Sequence, residues 1–118
     1  MKTIVFGGSG FLGSYVVDAL IDRGHEVLVY DLNESSTPHK NAKYIKGDIL
    51  NSRDVLKAIK GSEIVYNFAG VADLNESISN PRKTLELNIM GNLNIIESCV
   101  HHSVKRFVYA SSAYVFSR

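Results

Sequence analysis

Glycines stand at positions 7, 8, 10 and 13 in the stretch GGSGFLG, directly after an apolar, β-branched run, Thr3 to Phe6. From Phe11 onward the periodicity is helical. Strand, glycine turn and helix, in that order, form a context that can bind the pyrophosphate of a dinucleotide. Gly7 permits the tight turn off the strand, and Gly10 leaves the backbone open to the phosphates. Gly13 lets the helix pack close to the strand. Phe11 and Leu12 open that helix, so their free N–H groups and the positive end of the helix dipole face the anion. A second candidate is Asp31, at the end of the run EVLVY. A carboxylate there can accept hydrogen bonds from both adenosine ribose hydroxyls, and it repels a 2′-phosphate. The pair predicts NAD as cofactor, in preference to NADP. A flexible loop would explain the glycines and a turn would explain Asp31, but neither accounts for the two together.

These residues need a scaffold, and the rest of the chain supplies one. The first helix is expected from Phe11 to Arg23, with Leu12, Val16, Ala19 and Leu20 facing the core and Gly24 closing it. A second strand, Glu26–Tyr30, leads to Asp31. Asn33 to Ala42 is polar, holds Pro38 and reads as a loop. Lys43–Lys46 is a third strand, ended by Gly47 and Asp48. Asn51 or Ser52 caps a helix with Val55, Leu56 and Ile59 inward, and Gly61 ends it. Glu63–Phe68 is a fourth strand, and Val71 to Asn80 an irregular loop. Pro81 starts a long helix reaching about His101, and Lys105–Ser111 is a fifth strand. Strands linked by crossover helices give an α/β fold, a doubly wound parallel sheet of Rossmann type. With the glycine turn at the switch point the order is 3-2-1-4-5.

The long helix carries two apolar stripes. One is Leu85, Ile89, Leu93, Ile96 and Val100, the other Leu87, Met90, Ile95 and Cys99. The sheet can cover one of them. The second stripe, with the free edge of the fifth strand, predicts a homodimer or larger assembly.

Composition narrows the field. The 118 residues suit one domain, the net charge is +1, and the apolar content is 45%. No basic patch points to nucleic acid, and no apolar run is long enough to span a membrane. The N-terminus is already strand, which argues against a signal peptide. The lone Cys99 reads as a small core residue in a reducing cytoplasm. His101 and His102 suit a helix C-terminus better than a metal, and no metal site is expected.

Taken together, the residues resemble the extended short-chain dehydrogenase/reductases, or NAD-dependent epimerase/dehydratases, in particular the N-terminal part of UDP-glucose 4-epimerases. GGSGFLG matches the family's Gly-x-x-Gly-x-x-Gly turn. Asp48 and Ile49 match a pair that contacts adenine in the family. Asn67, Phe68, Ala69 and Gly70 match a segment lining the pyrophosphate and ribose, although His is common where Asn67 stands. Asn88 in LNIMGNLNIIE matches the first Asn of Asn-x-x-Gly-x-x-Asn. Ser112, in YASSAYVF, aligns with the catalytic serine.

In that family a tyrosine, lowered in pKa by a nearby lysine, is the general base towards a sugar hydroxyl, and nicotinamide takes the hydride. This sequence departs from the pattern. No lysine follows Lys105, and neither Tyr109 nor Tyr114 has a lysine four positions on. Without that Tyr-x-x-x-Lys pair Ser112 is vestigial. The resemblance therefore implies the NAD-binding portion of a nucleotide-sugar epimerase or dehydratase, truncated after the fifth strand and inactive alone. A stand-alone, non-catalytic dinucleotide-binding module is the alternative, and a structural remnant that has lost its cofactor a third. A reading frame that continues into Tyr-x-x-x-Lys would favour the first.

Overall fold

In the computed structural model residues 1–112 are described. Five parallel strands form one sheet in the order β3-β2-β1-β4-β5, as the sequence predicts. The strands are β1 Lys2–Phe6, β2 Glu26–Asp31, β3 Lys43–Lys46, β4 Ile64–Asn67 and β5 Arg106–Tyr109. β1 is central because it is apolar on both faces. Ile4, Val5 and Phe6 are all fully buried. Ile4 and Phe6 point into the larger core with Tyr30, Val55, Ile59, Val65 and Ile95. Val5 points the other way, into a core with Val17, Leu20, Val27 and Val29. The registers Val5↔Val29 and Val5↔Tyr66 align the strand ends, so the loops leaving β1, β2 and β4 meet at one edge.

Helix α1, Phe11–Asp22, covers the Val5 face. Its buried residues are Gly13, Val17 and Leu20, while Leu12 is 54% exposed. Of the expected core face, Leu20 is buried and Val16 packs against the core, whereas Leu12 is corrected. Gly13, not Leu12, faces inward, because the helix closes onto the turn through the residue that has no side chain. Gly24 ends the helix as expected, with φ +83° and its N–H donating to Ile21 O at 2.9 Å.

Helix α2, Ser52–Ile59, lies on the opposite face, capped by Asn51, whose Oδ1 accepts from Asp54 N at 3.1 Å. Beside it runs a longer helical rod: α4 Pro81–Leu85, a π-helical turn Glu86–Gly91, and α5 Asn92–His101. His102 Nε2 meets Leu56 O at 2.8 Å and ties the two together. Another correction falls before the rod. Leu74–Ser79 is a short helix, α3, and not irregular loop. Asp73 caps it by accepting from Asn75 N at 2.8 Å. The Asp73…Glu76 spacing is a capping signal readable in the sequence.

The rod also reverses the expected roles of the two stripes. Ile95 and Cys99 are buried and Leu87 is half-buried against the core. Leu85, Ile89, Leu93, Ile96 and Val100 are exposed, as is Met90. The packed face is the one carrying the small residues Gly91, Ser98 and Cys99; Gly91 lies directly against Ile49, and Cys99 is in the core cluster. Cys99 is a core thiol, and burial pushes its pKa up to about 11.

Candidate cofactor site

The glycine turn is built by close approach of backbones. Gly7 has φ +75°, and a Cβ on it would meet Ala69 N and Phe68 C at 2.6 Å. A Cβ on Gly13 would run into Gly7 O, with Gly7 C at 2.9 Å. Both glycines are therefore required by the fold. Gly10 differs, because a Cβ there would meet only Gly7 O at 3.4 Å. The chain's own packing does not demand a glycine at this position. The turn simply leaves open space in front of Gly10.

Gly10 is also the N-cap of α1. No side chain caps that helix, and no acidic residue lies in its first turn. The first N–H groups of a helix have no intrahelical partner, so those of Phe11 and Leu12 stand open at the helix start. The Phe11 ring is 85% exposed and packs edge-on against Tyr15 at 5.5 Å. Ser9 Oγ is enclosed without a hydrogen-bond partner among the described residues.

Across from the turn stands the exit of β4. Together they enclose a cleft of about 670 Å³ at the carboxyl ends of the strands. Gly7, Gly10, Phe11, Leu12 and Gly13 line one side, and Phe68, Ala69, Gly70 and Asn88 the other. Ser112 and Tyr109 close its far end. Ten of the sequence-predicted residues thus meet in one place. Asn88 shapes that wall: its Oδ1 accepts from Val71 N at 2.7 Å and its Nδ2 donates to Val71 O at 2.9 Å. Gly70 has φ +140°, and a Cβ on it would strike Asn88 Oδ1. Asn67 is buried; it accepts from Ala69 N at 2.9 Å and donates to Asn92 Oδ1 at 2.8 Å. Asn92 is a support that the sequence reading missed, as are the α3 residues Leu74 and Ser77 in the cleft wall.

Three predicted residues lie outside this cleft. Asp31 is beside it. Its Oδ2 accepts from Ser9 N at 3.0 Å and its Oδ1 from Asn33 N at 2.9 Å. The carboxylate is thereby fixed against the glycine turn, and each oxygen keeps acceptor capacity for a hydroxyl. Asp48 is exposed and accepts from Leu50 N at 2.9 Å. Ile49 is 6% exposed, with its side chain in the core, so it can offer a ligand its backbone and not its side chain. Tyr114 lies outside the described residues.

The arrangement fits a dinucleotide: an open glycine, an uncapped helix N-terminus and a clamped, hydrogen-bond-accepting carboxylate at the end of the next strand. The sequence profile of the NAD dependent epimerase/dehydratase family matches residues 3–118. The chain belongs to that family. It is 33% identical to a UDP-glucose 4-epimerase of Klebsiella pneumoniae over 98% of this chain and 92% of that sequence. It is 30% identical to a bifunctional UDP-glucose and UDP-xylose 4-epimerase of Pisum sativum, over 99% of this chain and 38% of the pea sequence. Among solved structures, MoeE5 in complex with UDP-glucose and NAD superposes with a TM-score of 0.89 at 29% identity, over 99% of this chain and 38% of that one. The chain thus spans about two-fifths of the length of the pea enzyme and of MoeE5.

Proposed function

We propose that this chain is the NAD-binding portion of a nucleotide-sugar epimerase or dehydratase. The observation that carries the reading is the juxtaposition of the open Gly10 turn with Asp31, whose Oδ2 is held 3.0 Å from Ser9 N. In this reading the N–H groups of Phe11 and Leu12 bind the pyrophosphate. Asp31 takes the ribose hydroxyls, and Asp48 with the Ile49 backbone holds adenine. Phe68, Ala69 and Gly70 line the path towards the nicotinamide end. When bound, NAD supplies the hydride acceptor for a sugar carbon. Ser112, at the cleft's far end, would share the hydrogen bond to the sugar hydroxyl in a chain that also carries the Tyr-x-x-x-Lys pair. The 118 residues contain no such pair, so they bind cofactor without turnover. MoeE5 was solved with UDP-glucose and NAD together, which supports a nucleotide sugar as the substrate class.

The test is calorimetric titration of the purified chain with NADH and NADPH. NADH is expected to bind at least ten-fold more tightly, a difference of about 1.4 kcal/mol. Equal affinity, or preference for NADPH, overturns the reading. Measured turnover of a nucleotide sugar by the 118-residue polypeptide, with its intact mass verified, overturns the inactive-alone part of it.

A further inference from the structure

The loop after β3 is held by residues that stand outside the cleft. Ile49 is buried, and its side chain lies on Gly91 in the π-helical turn. A Cβ on Gly91 would collide with Ile49 Cδ1 and come within 2.7 Å of its Cγ1. Asn94, one turn further along the rod, donates its Nδ2 to Ile49 O at 2.9 Å. From the other side the Tyr30 hydroxyl donates to Asp48 O at 3.0 Å. Three contacts from outside the loop thus fix two consecutive residues: one on the Ile49 side chain, one on its carbonyl, and one on the Asp48 carbonyl, which also accepts from Asn51 N at 3.0 Å. What they leave exposed is the Asp48 carboxylate. Its Oδ1 is committed to Leu50 N, and no bond to Oδ2 is found among the described residues.

We propose that Gly91, Asn94 and Tyr30 are positioning residues for adenine recognition, acting only through the Asp48–Ile49 loop. The proposal rests on the reading of that loop as the adenine contact. The absence of a side chain at Gly91 sets the depth at which Ile49 sits. Asn94 and Tyr30 set the direction of the two carbonyls, and hence the plane that the carboxylate and the Ile49 N–H present to a base. A flat ring carrying a donor and an acceptor on one edge is recognised only if that plane is fixed. Any collapse of the loop would misplace both groups at once, although neither Gly91 nor Asn94 touches the ligand.

The experiment separates adenine binding from general folding by using two ligands. ADP-ribose carries adenine without nicotinamide, and reduced nicotinamide mononucleotide carries the reverse. In Gly91→Ala the affinity for ADP-ribose should fall at least ten-fold, while that for the mononucleotide stays within two-fold. Adding Ile49→Ala should restore most of the loss, because only the Ile49 Cβ, at 3.5 Å, then faces the new methyl. Asn94→Ala and Tyr30→Phe should weaken ADP-ribose in the same selective way. Amide hydrogen exchange, read without ligand, supplies the independent arm. Protection of the Gly47–Asn51 segment should drop at least ten-fold in Gly91→Ala and Asn94→Ala, while Ile4 to Phe6 stays protected.

Unchanged exchange in the loop, or equal weakening of both ligands, overturns the proposal. If the unmodified chain binds the mononucleotide but not ADP-ribose, the adenine reading fails and with it the recognition role. The exchange result then still decides whether Gly91 and Asn94 hold the loop.

Discussion

Asn88 grips Val71 with both ends of its amide, accepting from the backbone N–H at 2.7 Å and donating to the carbonyl at 2.9 Å. A helix side chain therefore holds the backbone four residues past the end of β4. The clamp fixes the wall of the cleft one residue beyond Gly70. Asn88→Ala removes two hydrogen bonds from a half-buried loop, each worth about 0.5–1.5 kcal/mol. We expect stability to fall by about 1–3 kcal/mol and NADH affinity to fall with it. Urea denaturation of the two proteins checks the first, and titration the second. Asn88→Asp should be no better, since a carboxylate cannot donate to the Val71 carbonyl. Stability within a few tenths of a kcal/mol would show the clamp to be dispensable.

The glycines divide into two kinds, which makes a paired prediction. Gly13 is required by the fold, since a methyl there meets the Gly7 carbonyl. Gly10 is open. Gly13→Ala should be expressed poorly or be destabilised by several kcal/mol, in the manner of an overpacked core. Gly10→Val should fold, at a capping cost of about 1 kcal/mol, yet lose detectable NADH binding because the branched side chain occupies the phosphate position. Circular dichroism melts and fluorescence titration distinguish the two. A folded Gly10→Val that keeps wild-type affinity removes the phosphate role from this turn.

Asp31 is fixed by two backbone N–H groups, from Ser9 and Asn33. Its charge therefore stands at a defined place beside the glycine turn, and it should decide between the two dinucleotides. Asp31→Ser removes the charge and keeps a small polar acceptor. The ratio of NADPH to NADH affinity should rise at least ten-fold, about 1.4 kcal/mol, mostly through loss of NADH binding. Calorimetry with both cofactors reads this directly. An unchanged ratio would move the specificity determinant elsewhere.

The sheet order was readable because β1, β2 and β4 are short apolar runs and helical periodicity fills three of the four connections, while β3 (KYIK) and the polar β2–β3 loop carry a weaker signal. The cleft was readable where backbone conformation dictates residue type, as at Gly7 and Gly13. Four features were less legible, each for a physical reason. The inward face of α1 is centred on a glycine, and a glycine adds nothing to a count of apolar positions. Helix α3 is held by its Asp73 cap with no buried residue, so hydrophobic periodicity is silent there. The rod is apolar on two sides, and apolarity alone does not say which side meets the sheet. The small residues Gly91, Ser98 and Cys99 mark the packed side. Asn92 escaped notice because its partner Asn67 is 25 residues away in sequence.

That reversal changes the surface on which self-association is expected. Leu87, Ile95 and Cys99 are turned to the core and cannot form a contact between copies. The available stripe is Leu85, Ile89, Leu93, Ile96 and Val100, flanked by Met90, with Ile89 57% and Val100 76% exposed. Among the described residues the outer edge of β5 pairs with no further strand, so a second mode is an antiparallel ladder about a two-fold axis. Both modes predict a homodimer or larger assembly, and two substitutions separate them. Ile89→Lys or Met90→Lys places a charge on the helix stripe without touching the core. Each should yield monomer if the rods pair, and leave the assembly intact if the edge strands do. A proline at Val108 should act on the edge only at the cost of the β5 ladder to β4, so the lysine variants are the cleaner probe. Light scattering coupled to size exclusion, at high micromolar protein, gives the mass. A stable monomer in the unmodified chain would show that neither surface suffices to hold two copies together.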